Sequence, residues 1–539
     1  MAVITPNSDV ILLKVPLEID EANQLTFSNA TAQYNYFNGL TGKKVLDKYT
    51  YQRKDDTIRV GDLYDNLYSY NYVMYRNTNH GSKWFYAFIT GMEYINDSVT
   101  AIKIKTDVWQ TWQFDLTYKT TFVEREHVND DTIGAHTIDE NLQLGDFVIN
   151  SSTTLKPNKT VKDSDNNTIS WTHPIFFQVT ELVGTAAGTS QWFNSEYNRI
   201  FSGLYYFACC SLADARGIIN QYDAAGKGSA IVAIFMAPKE FLNGAVKITG
   251  DGRTIYIPAN SAYLSTMLDT TTITRPSTIN GYTPKNNKLF TAPFSYMYVT
   301  NNAGLDTTFN YEDFDSATPK FYMAGALGQG CAIKMCPVSY KNYTANTEVF
   351  DYGLSGAKYP VCAWSSDYYT NWCTQNAANI TNSLGKTAMG AAIGGVMTGG
   401  AGALVAGGAS LLGSITDTMV KKYEASIVPD QAKGNANTSD LLLGWERYFT
   451  VDCMSVRAQI ARSIDQYFSM FGYKVNAVKI PNVTGRTNWN YVKTIGCYID
   501  ADIPQDDLQE IKTMFDKGTT FWHNASTFGD YSQSNTIVV

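Results

Sequence analysis

Alternation of apolar and polar positions dominates the first 155 residues. Residues 68–75 (YSYNYVMY) and 83–89 (KWFYAFI) are aromatic, β-branched runs separated by the turn sequence 77–81, and both predict strands. Over 99–105, Ile102 and Ile104 fall on one side and Lys103 and Lys105 on the other, the pattern of a half-buried antiparallel strand. Trp109 and Trp112 are spaced as in a helical turn, and alternation resumes over 122–128 (FVEREHV). From about 156 to 345, polar turn clusters such as 162–167 separate short predicted strands at 174–182 and 205–210, with short helices expected after Ser211 and at 238–242. Near the C-terminus, 454–471 predicts a helix with Val456, Ile460, Ile464, Tyr467, Phe468 and Phe471 on one face and Gly472 as its stop. A strand is expected at 491–498. Residues 505–517 predict a second amphipathic helix carrying Leu508, Ile511, Met514 and Phe515, bounded by Pro504 and Gly518, and Phe521 and Trp522 open a closing strand.

One segment breaks every such pattern. Residues 387–416 contain no charge and nine glycines, with Met389, Ile393, Val396, Met397, Leu404, Val405, Leu411, Leu412 and Ile415 as the larger apolar side chains. A helix of that length reaches roughly 45 Å, more than the ~30 Å hydrocarbon core of a bilayer. In water each interior glycine costs about 1 kcal/mol relative to alanine, so an isolated helix is opposed. In lipid an unsatisfied backbone group costs several kcal/mol, and helix or tight hairpin becomes obligatory. Gly390 with Gly394, and Gly395 with Gly399, offer small-residue faces for close helix contact. Two readings fit these residues: a segment loose in water and ordered in membrane, or a Gly/Ala-rich hairpin buried in a globular core.

At 539 residues the chain is long enough for three or four domains. Only 17% of residues are charged, against about 25% in an ordinary soluble domain. The 36 tyrosines, 40 glycines and abundant Thr and Asn shift the balance towards strands and turns. The expected class is therefore α+β, mainly β with a few amphipathic helices. A net charge of −8 argues against a protein that wraps nucleic acid. No basic stretch followed by an apolar run opens the chain, so no signal peptide is expected. Eight cysteines are too sparse for a disulfide scaffold and read as buried free thiols.

Catalytic chemistry is thinly represented. The five histidines have no metal-ligand spacing, and neither a nucleophile elbow nor a phosphate-binding loop occurs, so no metal, cofactor or catalytic residue is expected. His127 reads as a solvated or interface side chain on an alternating strand. The carboxylate pairs Asp55-Asp56, Asp130-Asp131 and Asp139-Glu140 read as solvated turns, and the glycine-rich 325–330 as a turn.

Several blocks carry a resemblance. Gln33-Tyr-Asn-Tyr-Phe-Asn38, Leu67-Tyr-Ser, Lys83-Trp-Phe-Tyr-Ala-Phe88, Asp107-Val-Trp-Gln-Thr-Trp112, Arg125-Glu-His-Val128 and Thr137-Ile-Asp-Glu140 occur early. Phe471-Gly-Tyr-Lys474, Asn490-Tyr-Val492, Asp507-Leu-Gln-Glu-Ile511 and Phe521-Trp-His523 occur late. In this order they resemble the distal tail knob, or tail tube, proteins of phi29-like short-tailed phages, over roughly the first 150 and last 90 residues. The resemblance implies a non-enzymatic virion protein, a homohexameric cylinder of tube-like β-sheet or barrel domains, in contact with other tail proteins of the lower collar, tube and tip. It also implies a hydrophobic loop, placed here at 387–416, that plugs the bore and penetrates the host cell membrane on entry while phage DNA passes through without sequence-specific binding. On that basis the chain divides into a tube domain (1–155), a distal β-rich domain (156–345), a long loop region (346–445) and a C-terminal part (446–539) packing with the tube domain. Six copies would carry a formal −48, six times −8, and like charge lets DNA pass without adhering. A receptor- or wall-binding tail component without membrane activity, and a wall-degrading tail enzyme, are the alternatives.

Overall fold

The computed structural model describes residues 8–46, 56–78, 81–188, 196–197, 200–201, 205–258, 263–264, 271–328, 330–342, 350–356, 361–363 and 448–538. It is an α+β protein, mostly β, with six α-helices among the described residues. The chain forms two compact units. The first comprises Met1–Asp146, Gly281–Phe294 and Arg457–Val539, the second Phe147–Asn280 and Ser295–Val456.

The first unit contains a six-stranded antiparallel sheet in the order Lys44–Leu46, Ser8–Leu13, Tyr72–Asn77, Phe85–Asn96, Val99–Thr106, Thr57–Val60. Its central strands carry continuous apolar runs, Val10–Leu13 and Tyr72–Tyr75, because both faces are covered there. Ile11, Leu13, Tyr72, Met74, Tyr86 and Phe88 pack on one side with Trp489 and Trp522. Val10, Leu12, Val73 and Ile102 pack on the other with Leu67. A second, five-stranded sheet runs Asn23–Leu25, Thr519–Trp522, Trp489–Ile495, Thr121–Glu126, Tyr473–Lys479. Its parallel pair, Asn23–Leu25 with Thr519–Trp522, joins the two ends of the chain. The helix Gln505–Lys517 forms where the apolar spacing placed it and buries Leu508, Ile511, Met514 and Phe515. Gly518 follows at φ +93°, a left-handed stop that a Cβ would strain. The paired tryptophans lie on the single turn Val108–Trp112, with Trp109 4.5 Å from Phe521 between ring centres.

The second unit stacks three larger sheets around one core. A four-stranded sheet runs Phe147–Leu155, Phe449–Val456, Ser295–Thr300, Asp306–Phe309. A six-stranded one runs Val246–Gly250, Arg253–Ile257, Tyr205–Cys209, Ile175–Val179, Ile231–Met236, Val361–Ala363. The third is built on the hairpin Lys320–Gly328 with Gly330–Val338. The helix Leu212–Ala224 begins where Ser211 caps it, its side chain accepting from Asp214 N.

Three expectations need correction. Residues 454–456 are the end of the strand Phe449–Val456, and the helix spans only Ala458–Phe471. The stretch FTVDCMSV alternates buried and half-buried positions with a period of two and pairs on both sides, so sheet formation wins over helix propensity there. Gly472 does end the helix, at φ +63°. The glycine-rich 325–330 is mostly strand, closed by Gly328 opposite Gly330. Phe521 and Trp522 end their strand, Thr519–Trp522, instead of opening it. Of the six cysteines whose side chains are described, Cys209, Cys331, Cys336, Cys453 and Cys497 are buried and outside any disulfide, as expected, while Cys210 is only half-buried.

Candidate functional site

Met389, Ile393, Val396, Met397, Leu404, Val405, Leu411, Leu412 and Ile415, and the contact-face residues Gly390, Gly394, Gly395 and Gly399, lie outside the described residues. The positions from which that stretch departs and to which it returns are described. The strand Val361–Ala363 pairs antiparallel with Ile231–Met236 as the outermost strand of the six-stranded sheet. The chain re-enters at Tyr448, buried and with its hydroxyl 2.6 Å from His173 Nε2, and runs into Phe449–Val456, an inner strand of the four-stranded sheet. The 84 positions between, 364–447, are thus attached at a sheet edge on one side and a core strand on the other. No helix of the described residues is long and apolar enough to cross a membrane.

The candidate carboxylates resolve into structural roles. Asp130 is exposed and accepts from the Thr132 backbone N–H and hydroxyl, which hold its carboxyl below the usual range. Asp131 is half-buried, not solvated as the sequence suggested. It accepts from Tyr473 Oη at 2.5 Å and from Asn287 N at 3.1 Å, and burial pushes its carboxyl up. Glu140 is buried as well, contrary to the solvated-turn reading. Its oxygens take Arg125 and Lys288, and Lys474 N donates to it at 2.9 Å. Asp139 caps its own turn by accepting from Asn141 N. A glycosidase needs two carboxyl groups facing substrate. Here the two pairs fully described are spent on backbone, hydroxyl and cation contacts.

His127 is also buried, where the sequence suggested exposure. Tyr491 N donates to its Nδ1 at 2.7 Å, and its Nε2 lies 3.1 Å from Ser469 O. Burial, with the Arg486 guanidinium second, pushes it down to about 3, so the ring is neutral. The alternation that put it on an outer face fails because Glu126 and His127 are consecutive buried positions at the strand end.

Sequence reasoning missed the polar lattice these residues build. Asp465, 1% exposed on helix Ala458–Phe471, accepts from Tyr282 Oη at 2.6 Å, Lys285 N at 2.8 Å and Asn286 N at 3.0 Å. Asn286 Nδ2 adds a fourth bond at 2.8 Å. Beside it Lys288 reaches Glu140 and donates to Ile138 O at 2.7 Å, and burial lowers its ammonium against the pull of Glu140. The lattice pins Gly281–Phe294 to the first unit. Among the described residues no group of three His, Cys, Asp or Glu side chains is placed to hold a metal ion. The arrangement holds a scaffold together.

Comparison with known proteins agrees with a scaffold. The family model for the C-terminal domain of Bacillus phage phi29 tail knob protein gp9 matches residues 260–536, and that for the N-terminus of caudoviral major tail proteins matches residues 6–117. The chain is 27% identical to tail knob protein gp9 of Bacillus phage phi29 and 24% identical to that of Bacillus phage B103, in each case over 98% of both chains. Its fold is similar to the tail knob protein gp12 of bacteriophage C1, with a TM-score of 0.67 at 14% identity, covering 98% of this chain and 100% of that one. With more than half its length inside the first of these models, the chain belongs to the tail knob protein gp9 family of phi29-like phages, as a structural, non-enzymatic component of the virion tail.

Proposed function

We propose that this tail knob protein assembles as a homohexameric cylinder, a conduit for genome ejection, and that residues 387–416 plug the bore and enter the host cell membrane. The observation that carries this reading is the uncharged, nine-glycine stretch of 387–416, set inside a long insertion between the sheet-edge strand Val361–Ala363 and the core strand Phe449–Val456. Glycine opposes a helix in water, whereas lipid makes internal backbone hydrogen bonding compulsory. The stretch is therefore suited to storage in one state and use in another. Residues 1–155 and 446–539 would supply the tube wall, 156–345 the distal part and 346–445 the loop. Other tail proteins of the collar, tube and tip would be its neighbours in the virion. A net −8 per subunit favours passage of DNA over adhesion.

The test is replacement of 387–416 by a short Gly/Ser linker, with assembly followed by electron microscopy and membrane activity by dye release from anionic liposomes. Rings should persist while dye release disappears. Undiminished release from the deleted protein would remove the loop from the mechanism.

A further inference from the structure

The first unit carries two separate exposed apolar patches, one at each of two sheet margins. On the five-stranded sheet, Phe122 pairs with Val478 on one side and Ile495 on the other, so the three side chains share one face across three strands. Ile480 and Tyr498 extend this row, and every member except Phe122 is more than half exposed, Val478 reaching 71%. Tyr473–Lys479 is the outermost strand of that sheet. The second patch lies on the six-stranded sheet. Tyr94 and Ile95 project from the hairpin joining Phe85–Asn96 to Val99–Thr106. Leu63, Tyr64 and Tyr68 lie on the segment that follows the outermost strand Thr57–Val60, and Tyr68 is 67% exposed. Thr100 Oγ1 donates to Asp62 O at 2.9 Å and ties that segment to the hairpin.

Contiguous large apolar side chains at the surface of a soluble unit mark an interaction surface. Their polar rims differ in sign. Around the first patch Lys119 and Lys493 pair with Asp500 and Glu124 and Lys474 adds a positive charge, while Lys479 turns its ammonium to the buried Glu126. Around the second the charges are Asp62, Asp65, Glu93 and Asp97 against Lys44, Arg59 and Lys103. Two unlike patches with opposed rims are what a head-to-tail contact needs, and a head-to-tail contact closes rings.

We infer that the occupant of each patch is the other patch on a second copy of this chain: the Phe122/Val478/Ile495 face of one subunit docks on the Tyr68/Tyr94 face of the next. This rests on the hexamer reading above and assigns the surfaces that close it. Tyrosine-rich centres ringed by charges fit the anatomy of such contacts.

The experiment uses two full-length variants, V478E with I495E on the first face and Y68E with Y94E on the second. All four positions are exposed, and unchanged circular dichroism and melting temperature check that each variant folds. Alone, each variant should drop from the wild-type assembly to monomer, an about six-fold fall in mass by light scattering. Mixed together they should give a discrete heterodimer, because one intact copy of each face remains. A wild-type ring that persists in either variant, or a mixture that stays monomeric, overturns this pairing and leaves the hexamer reading standing. Wild-type protein that is itself monomeric overturns both.

Discussion

The segment Gly281–Phe294 of the first unit and the helix Leu212–Ala224 of the second are both held against sheets, by different forces. Asp465 takes four hydrogen bonds from Tyr282, Lys285 and Asn286, and Glu140 takes Lys288 and Arg125, all but Lys285 at buried or half-buried positions. The helix, by contrast, lays Ala215, Ile218, Ile219 and Tyr222 into a core where Phe177 stacks on Phe207 at 5.1 Å and Phe176 on Phe235 at 5.8 Å. Apolar packing degrades in proportion to the atoms removed. A buried ionic lattice does not, because deleting one member strands the charge of the others. The first unit should therefore fail abruptly and the second gradually.

The largest effect expected from this contrast is at Glu140. Replacing it with alanine leaves Lys288 and Arg125 buried without a counter-charge and should cost about 3–5 kcal/mol. Hydrogen exchange should show lost protection across Tyr473–Lys479, Thr121–Glu126 and Asn287–Phe290, with the strands of the second unit unchanged. Equal loss in both units would dissolve the distinction.

This lattice was hidden in the sequence. Asn286 and Asp465 are 179 positions apart, and Lys288 and Glu140 are 148 apart, so no local pattern announces either pair. Each residue alone looks like an ordinary surface polar side chain, which is why Asp131 and Glu140 read as solvated turns. What was legible was local. The spacing of Leu508, Ile511, Met514 and Phe515 between Pro504 and Gly518 defines its helix, and Ile102 and Ile104 against Lys103 and Lys105 define their strand. The aromatic blocks near both ends carried the family, since their aromatic side chains, Tyr68 apart, are buried or half-buried in one unit that draws on both ends of the sequence, as Trp109 against Phe521 illustrates. At 387–416, composition alone revealed an anomaly, but composition does not fix coordinates.

A smaller effect comes from acid. His127 is neutral in the fold at about 3, against about 6.5 for an unperturbed imidazole. Between those values the unfolded chain binds a proton that the native state refuses. The stability His127 contributes is complete above about pH 6.5 and is lost as pH falls towards 3, at up to about 1.4 kcal/mol per pH unit. Glu21, raised to about 7 chiefly by burial, and Asp107, raised to about 6 for the same first reason, act oppositely: their contributions are lost as pH rises. The measurement must therefore be a difference. Unfolding free energies of wild type and His127→Gln, compared from pH 7 to 4, should differ by an amount that moves in favour of the variant as the solution is acidified. A pH-independent difference would mean that His127 takes up its proton equally in the folded and the unfolded chain.

The smallest effect tests the other side of the comparison. Ile218 is fully buried in the helix Leu212–Ala224, and Ile218→Val removes one methylene without introducing a polar atom or a charge. The loss should be about 0.5–1.5 kcal/mol, the ordinary cost of a deleted core methylene and its partly relaxed cavity. Because no titrating group is touched, the loss should be the same at pH 5 and pH 7, and exchange protection in the first unit should not move. A cost of about 3 kcal/mol or more would show that the second unit tolerates disturbance no better than the Glu140 lattice. Gradual failure would then not be what separates apolar from ionic fixation in this protein.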